Sequence, residues 1–301
     1  MNQFQFPPKT ILVPVDFSEL SIKAWNHALR LAQTFQSAVE AVYVAPIFIG
    51  PEMVLPKPLS ARERRELKRT MSKTFPNASG LNVQEGDVLL GILRTASRRR
   101  ADMIVMATGG RTGLKRIMVP SVAEEVVRSS PIPVLAVHGE TPAVQSVLAP
   151  VNLQPYSLAA LRFADKVARA LDSTLSIICV KEGKEPSPLL RRRVQLAVED
   201  LRSPVKTDAR IIMGKPLDKI LEEAQKHGIV VMAAHRKGFF HDAVLGSTAE
   251  QVLRRVHVPV LIVPPPLIFG RPSRAVHREA KPAIRRSSSR TRRGSRNSRR
   301  P

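Results

Sequence analysis

The sequence predicts an α/β fold built from two tandem modules, each a parallel sheet of five strands covered on both faces. Three observations lead there. First, the chain repeats itself without a gap: ILVPVDFSELSIKAWNHALRLAQTFQSAVEAVYV at 11–44 lies over VLAPVNLQPYSLAALRFADKVARALDSTLSIICV at 147–180, and 101–137 lies over 227–263 in the same way. Second, short β-branched apolar runs alternate with amphipathic segments, the pattern of βαβ units. Third, those apolar runs are nearly continuous, as strands covered on both faces must be. The length of 301 residues suits about two domains, each able to bury a core.

In order along the first copy, the strands are TILVPV, AVEAVYV, a weaker one around LNVQEG, DMIVMA and PVLAV. Between them the helical segments are SIKAWNHALRLAQTF, SARERRELKRTMSKTF, LLGILRTASRRR and SVAEEVVRSS. Dense charge on SARERRELKRTM and on LLRRRVQLAVEDL reads as one solvated outer face. The stretch GETPAVQS at 139–146 has the turn-rich, polar composition of a junction. The expected organisation is therefore module 1 over 1–140, module 2 over 145–266, and a tail over 267–301.

The formal charge of +23 points toward polyanions, yet its distribution matters more than its size. Residues 271–301 hold 12 Lys or Arg against the single acid Glu279, so almost half of the excess sits in a segment too polar to fold alone. Its RRSSSRTRRGSRNSRR run is the kind that stays disordered and attracts RNA, DNA or an anionic surface by counterion release. After Phe269 it has no aromatic residue, so stacking on bases is excluded. A merely solubilising extension is the other reading of the tail.

Cys179, the one cysteine, lies in the apolar run LSIICV, which excludes an internal disulfide and a cysteine zinc site. No run reaches the roughly 20 apolar residues of a membrane span, and MNQFQFPPKT lacks the charged and apolar regions of a signal segment. Cytoplasmic location is the expectation. His235, Arg236, Lys237 and His241 form a basic loop without ligand spacing, and no nucleophile elbow, HExxH motif or paired carboxylate accompanies them.

The informative stretch is ATGGRTGLKRIMVPS at 107–121, directly after a buried-type strand. Glycines there let a backbone approach a phosphate, and the N–H groups opening the next helix favour negative charge. A tight strand-to-helix connection is the competing reading of the same residues. Likewise Asp16, before FSEL, suits either a ligand contact or an N-cap, a role Ser18 could equally fill.

Taken together, ILVPVD followed by FS and a helix, EGD at 85–87, the spacing G-x2-G-x9-G-[ST] and PVLAV resemble the universal stress protein family over about 8–138 and 145–264. The resemblance implies a doubly wound five-stranded parallel sheet of order 3-2-1-4-5 in each module, whose reversal between strands 1 and 4 opens a ligand crevice. It implies ATP as the ligand of module 1, with an acid at the Asp16 position at the adenine end and the glycine loop around ribose and phosphates. The site residues it implies are Pro14, Asp16, Val44, Gly110, Arg111, Thr112, Gly113, Ser121 and Val122, with Gly246, Ser247 and Thr248 in module 2. It further implies that PVLAV and PVLIV pair within the chain as a pseudo-dimer, with further homo-dimerisation open.

This chain departs from the motif differently in each half. Module 1 has Ala107 for the first glycine and Pro120 for the last, and proline removes an N–H donor. Losing one charge-assisted hydrogen bond costs about 1.5–3 kcal/mol, roughly ten- to a hundredfold in affinity. Module 2 keeps Gly246, Ser247 and Thr248 but has Ala233 and Arg236 for the glycines and Asn152 for the acid. Module 1 is accordingly the better candidate. With the G-x-x-x-x-G-K-[ST] loop absent, the expectation is a nucleotide-binding regulator with at most weak ATPase activity, and the alternative is a nucleotide-free scaffold with a polyanion-binding tail.

Overall fold

Strands and helices alternate throughout this computed structural model, which describes residues 4–46, 58–108, 122–138, 144–183, 185–234 and 246–265. The first repeat runs β1 (Thr10–Pro14), α1 (Glu19–Phe35), β2 (Ala38–Pro46), α2 (Ala61–Thr74), β3 (Gly80–Gly86), α3 (Val88–Arg99), β4 (Met103–Ala107), α4 (Val122–Ser129) and β5 (Val134–Val137). The second runs β6 (Ser146–Val151), α5 (Pro155–Ala170), β7 (Thr174–Lys181), α6 (Pro188–Leu201), β8 (Thr207–Met213), α7 (Pro216–Ala224), β9 (Ile229–Ala233), α8 (Ser247–Arg255) and β10 (Val260–Val263). The tail and the 109–121 and 235–245 loops lie outside the described residues, with Gly110, Arg111, Thr112, Gly113 and Ser121 among them.

Local signals set the helix starts. Ser18, Ser60, Asp87 and Ser187 each accept a backbone N–H from the first turn, satisfying donors that the helix itself leaves orphaned. At Ser60 the bond is reciprocal, because Glu63 reaches back to the Ser60 N–H at 2.7 Å.

The ten strands form one sheet in the order β3-β2-β1-β4-β5-β10-β9-β6-β7-β8. Each repeat thus has the order 3-2-1-4-5, the second entering in reverse. Every pairing is parallel except β5 with β10, where Leu135 meets Leu261 at the centre of an antiparallel ladder. The expected pairing of PVLAV with PVLIV is present.

Strand alternation divides the core. Ile11 and Val13 join Trp25, Met71, Phe75 and Phe163 on the side of α1, α2, α5 and α6. Leu12 faces the other way, into the layer of Ile92, Val126, Ile220 and Val252 under α3, α4, α7 and α8. Along α2 only Met71 is buried, so its dense charge is indeed a solvated face.

The join between repeats uses equivalent residues twice. Arg254 of α8 holds Glu124 of α4 by two bonds of 2.7 and 2.9 Å, and Arg128 of α4 reaches Glu250 of α8 at 3.2 Å. In the repeat alignment Glu124 matches Glu250 and Arg128 matches Arg254, so the contact obeys a pseudo-twofold axis. Half-exposed arginines make each pair worth at most about 1 kcal/mol, whereas burying Leu135 and Leu261 contributes about 1.5–3 kcal/mol each. Burial therefore holds the join, and the charges align it. A second tie is aromatic: Phe6 packs edge-on against Phe35 of α1 and Phe163 of α5, with centroids 5.1 and 5.3 Å away.

Candidate functional site

In both repeats the chain leaves the first strand through the same turn. Asp16 Oδ1 accepts the Ser18 N–H at 3.0 Å, and Asn152 Oδ1 accepts the Gln154 N–H at 3.1 Å. The residue between is left-handed in each case, Phe17 at φ 64° and Leu153 at φ 60°. Such a backbone disfavours side chains bearing a Cβ. Two things hold it: the local side-chain bond, and packing of Phe17 on Tyr43 and Phe75 at 5.3 and 5.6 Å. From behind, buried Ser21 and Ser157 accept the N–H of Asp16 and Asn152 at 3.4 and 3.1 Å.

This turn stands at the carboxyl ends of β1 and β6, between the strand pairs where the order reverses. Partial burial pushes the Asp16 carboxyl up, but hydrogen bonds from Ser18 and Ser21 outweigh it and leave it below the usual carboxylate range. Asp16 is therefore an exposed, ionised acceptor at the mouth of the crevice. The capping alternative divides between neighbours, since Ser18 caps α1 and Asp16 props the turn before it.

Other expected residues fall around the same end of the sheet. Pro14 ends β1 half-buried, and Val44 is buried in β2 against Gly91 of α3. Val122 opens α4 and is 40% exposed. The EGD turn does structural work: Arg64 binds Glu85, whose other oxygen accepts the Leu59 N–H at 2.9 Å, and Asp87 caps α3. Gly86, at φ 113°, supplies the positive φ that joins β3 to α3, as Gly214 at φ 136° does in the second repeat.

In module 2 the described residues enclose a cleft of about 320 Å³ at this switch point. Pro150 and Val180, the counterparts of Pro14 and Val44, form part of its apolar wall, and Met232 closes the base. Asn152, Tyr156 and Ser157 line one side. Opposite them stand Gly246, Ser247 and Thr248 at the start of α8. Gly246 is the N-cap and lends no side chain to the first-turn N–H groups, an arrangement that favours an anion. The Asn152 Nδ2 donates to Tyr156 Oη at 2.6 Å, a contact that the sequence reading missed although the two residues stand one helical turn apart.

Among the described residues no cluster of three or more metal-type ligands occurs, and no helix is long and apolar enough to cross a membrane. Cys179 is buried, and burial pushes its thiol up, which makes it a poor nucleophile.

Two doubly wound halves joined in one sheet about a pseudo-twofold axis, with a cleft at the reversal of module 2, define a tandem α/β protein. The pattern of the Universal stress protein family matches residues 8–138 and again 143–264. A universal stress protein of Mycolicibacterium smegmatis is 27% identical over 286 residues, spanning 85% of this chain and 97% of its own. One from Methanocaldococcus jannaschii is 34% identical over 140 residues, or 43% of this chain and 81% of its own. The crystal structure of a universal stress protein from Archaeoglobus fulgidus shares the fold with a TM-score of 0.65 at 21% identity, covering 85% of this chain and 96% of that one. The chain belongs to the universal stress protein family as a tandem member, and so to a class of stress-response proteins.

Proposed function

We propose that this universal stress protein binds an adenine nucleotide at the switch point of module 1 and acts as a nucleotide-responsive regulator, with binding rather than catalysis as its chemistry. The observation that carries the reading is Asp16: an ionised, exposed acceptor, held by the Ser18 N–H at 3.0 Å where β1 parts from its neighbours. A carboxylate there suits the exocyclic amine of adenine. Gly110, Arg111, Thr112, Gly113, Ser121 and Val122 supply the phosphate end by resemblance, and Pro14 and Val44 the wall. The cleft of module 2, with Gly246, Ser247 and Thr248, is a second nucleotide site.

Binding of a fluorescent ATP analogue to the wild type, Asp16→Ala and Pro120→Gly tests this. Restoring the N–H at position 120 is expected to tighten binding roughly ten- to a hundredfold. If neither the wild type nor Pro120→Gly binds at millimolar nucleotide, the reading of module 1 is lost.

A further inference from the structure

The two crevices present opposite hydrogen-bonding character at one equivalent position. Asp16 can only accept. Asn152 carries both a donor and an acceptor, and its surroundings decide which of them meets the cleft. Its Oδ1 is engaged by the Gln154 N–H at 3.1 Å and its Nδ2 by Tyr156 Oη at 2.6 Å. Turning the amide over would set Nδ2 against the Gln154 N–H, donor against donor, so this orientation is the one the network permits. The second N–H of Nδ2 has no acceptor among the described residues, and Asn152 lines the cleft.

The surroundings differ in the same sense. Where module 1 caps α3 with Asp87, module 2 has Lys215 at the start of α7. Arg193 donates to the Leu153 carbonyl at 3.3 Å, which brings a cation beside the Asn152 turn. Gly246 restores the N–H that Pro120 lacks in the other repeat. Among the described residues, this crevice has an amide where module 1 has its acceptor carboxylate, and cations lie near its turn and at the start of α7, so it suits a ligand rich in acceptors.

We propose that module 2 takes a nucleotide whose base carries a ring carbonyl, a 6-oxopurine, in preference to the 6-amino base suited to module 1, and that Asn152 determines this choice. A carbonyl accepts from the Asn152 Nδ2, while an exocyclic amine at the same place opposes one N–H to another. The inference rests on the cleft being a nucleotide site, as proposed above.

ITP and ATP isolate the effect, because they differ at the 6-position and the adjoining ring nitrogen alone. Calorimetric titration of each into the full chain, with Asp16→Ala to weaken module 1 about tenfold, leaves module 2 as the dominant site. ITP is expected to bind about tenfold more tightly than ATP, the scale of one hydrogen bond. Adding Asn152→Asp, which is isosteric and keeps the acceptor for Gln154, is expected to reverse the order, with thermal unfolding confirming that the chain remains folded. ATP binding at least as tightly as ITP in Asp16→Ala overturns the inference. So does a wild type that binds ATP beside an Asp16→Ala protein that binds neither nucleotide, although module 1 then keeps its proposed role. If the wild type binds neither, both the site reading and the inference fall.

Discussion

Replacing Gly91 by alanine tests how closely α3 must approach the wall formed by Val44. A Cβ built on Gly91 would lie 2.8 and 2.9 Å from the two γ carbons of Val44, inside the distance such atoms tolerate. Val44 is 7% exposed and its branched side chain has little rotamer freedom, so it cannot step aside. In an isolated helix the substitution would stabilise by about 1 kcal/mol, but overpacking a dense core costs about 1–3 kcal/mol. The net expectation is a destabilisation of about 1 kcal/mol. In a Val44→Ala background the γ carbons are gone and the retained Cβ lies at an ordinary contact distance of 3.5 Å, so the same change should stabilise by about 1 kcal/mol, giving a coupling of about 2 kcal/mol between the two positions. Urea unfolding of the four proteins at a common m-value measures it. If Gly91→Ala stabilises the wild type as much as it stabilises Val44→Ala, the close approach of α3 is wrong.

Two further outcomes follow from burial and charge. His27 in α1 is pushed down to about 4, by burial first and by Arg30 second, so its protonation favours the unfolded chain. Its contribution is complete above the ordinary value of 6.5 and is lost as the pH falls toward about 4, by about 3 kcal/mol in all. Unfolding titrations across that window should show a shallower acid slope in His27→Gln, and an unchanged slope would refute the assignment. At the join, Glu124→Arg should lower stability by about 1–3 kcal/mol by facing Arg254 with a like charge, and Arg254→Glu added to it should recover a large part. Absence of recovery would mean that the pairs across the pseudo-twofold axis do not interact.

The repeat was legible from one strong internal similarity and the strands from short, nearly continuous apolar runs, whereas the strand order and the β5–β10 join were expected only through the resemblance to the family. The role of EGD was harder to see. Glu85 and Asp87 stand in the family motif, yet here their oxygens are occupied by Arg64, Leu59 and the first turn of α3. The cross-repeat ion pairs were hidden for another reason: Glu124 and Arg128, like Glu250 and Arg254, have the spacing of ordinary i,i+4 pairs. Arg254 does keep Glu250 of its own helix at 2.8 Å, and the pseudo-twofold axis adds the contacts across the join. Nor does spacing reveal that Phe6 would reach Phe163, a contact made across 157 positions of sequence that only the folded chain brings together. At the site, Asp16 was found by motif, while the donor character of Asn152 depends on Gln154 and Tyr156 together and emerges from geometry alone.

The central claim is that Asp16 anchors an adenine nucleotide at the switch point of module 1. Calorimetric titration of ATP into the full chain and into Asp16→Ala tests it most directly. The account predicts saturable binding by the wild type that weakens about tenfold in Asp16→Ala, with cooperative unfolding showing that the variant is folded at the temperature of the titration. Equal affinity in the two proteins, or no binding by either at millimolar ATP, would contradict it.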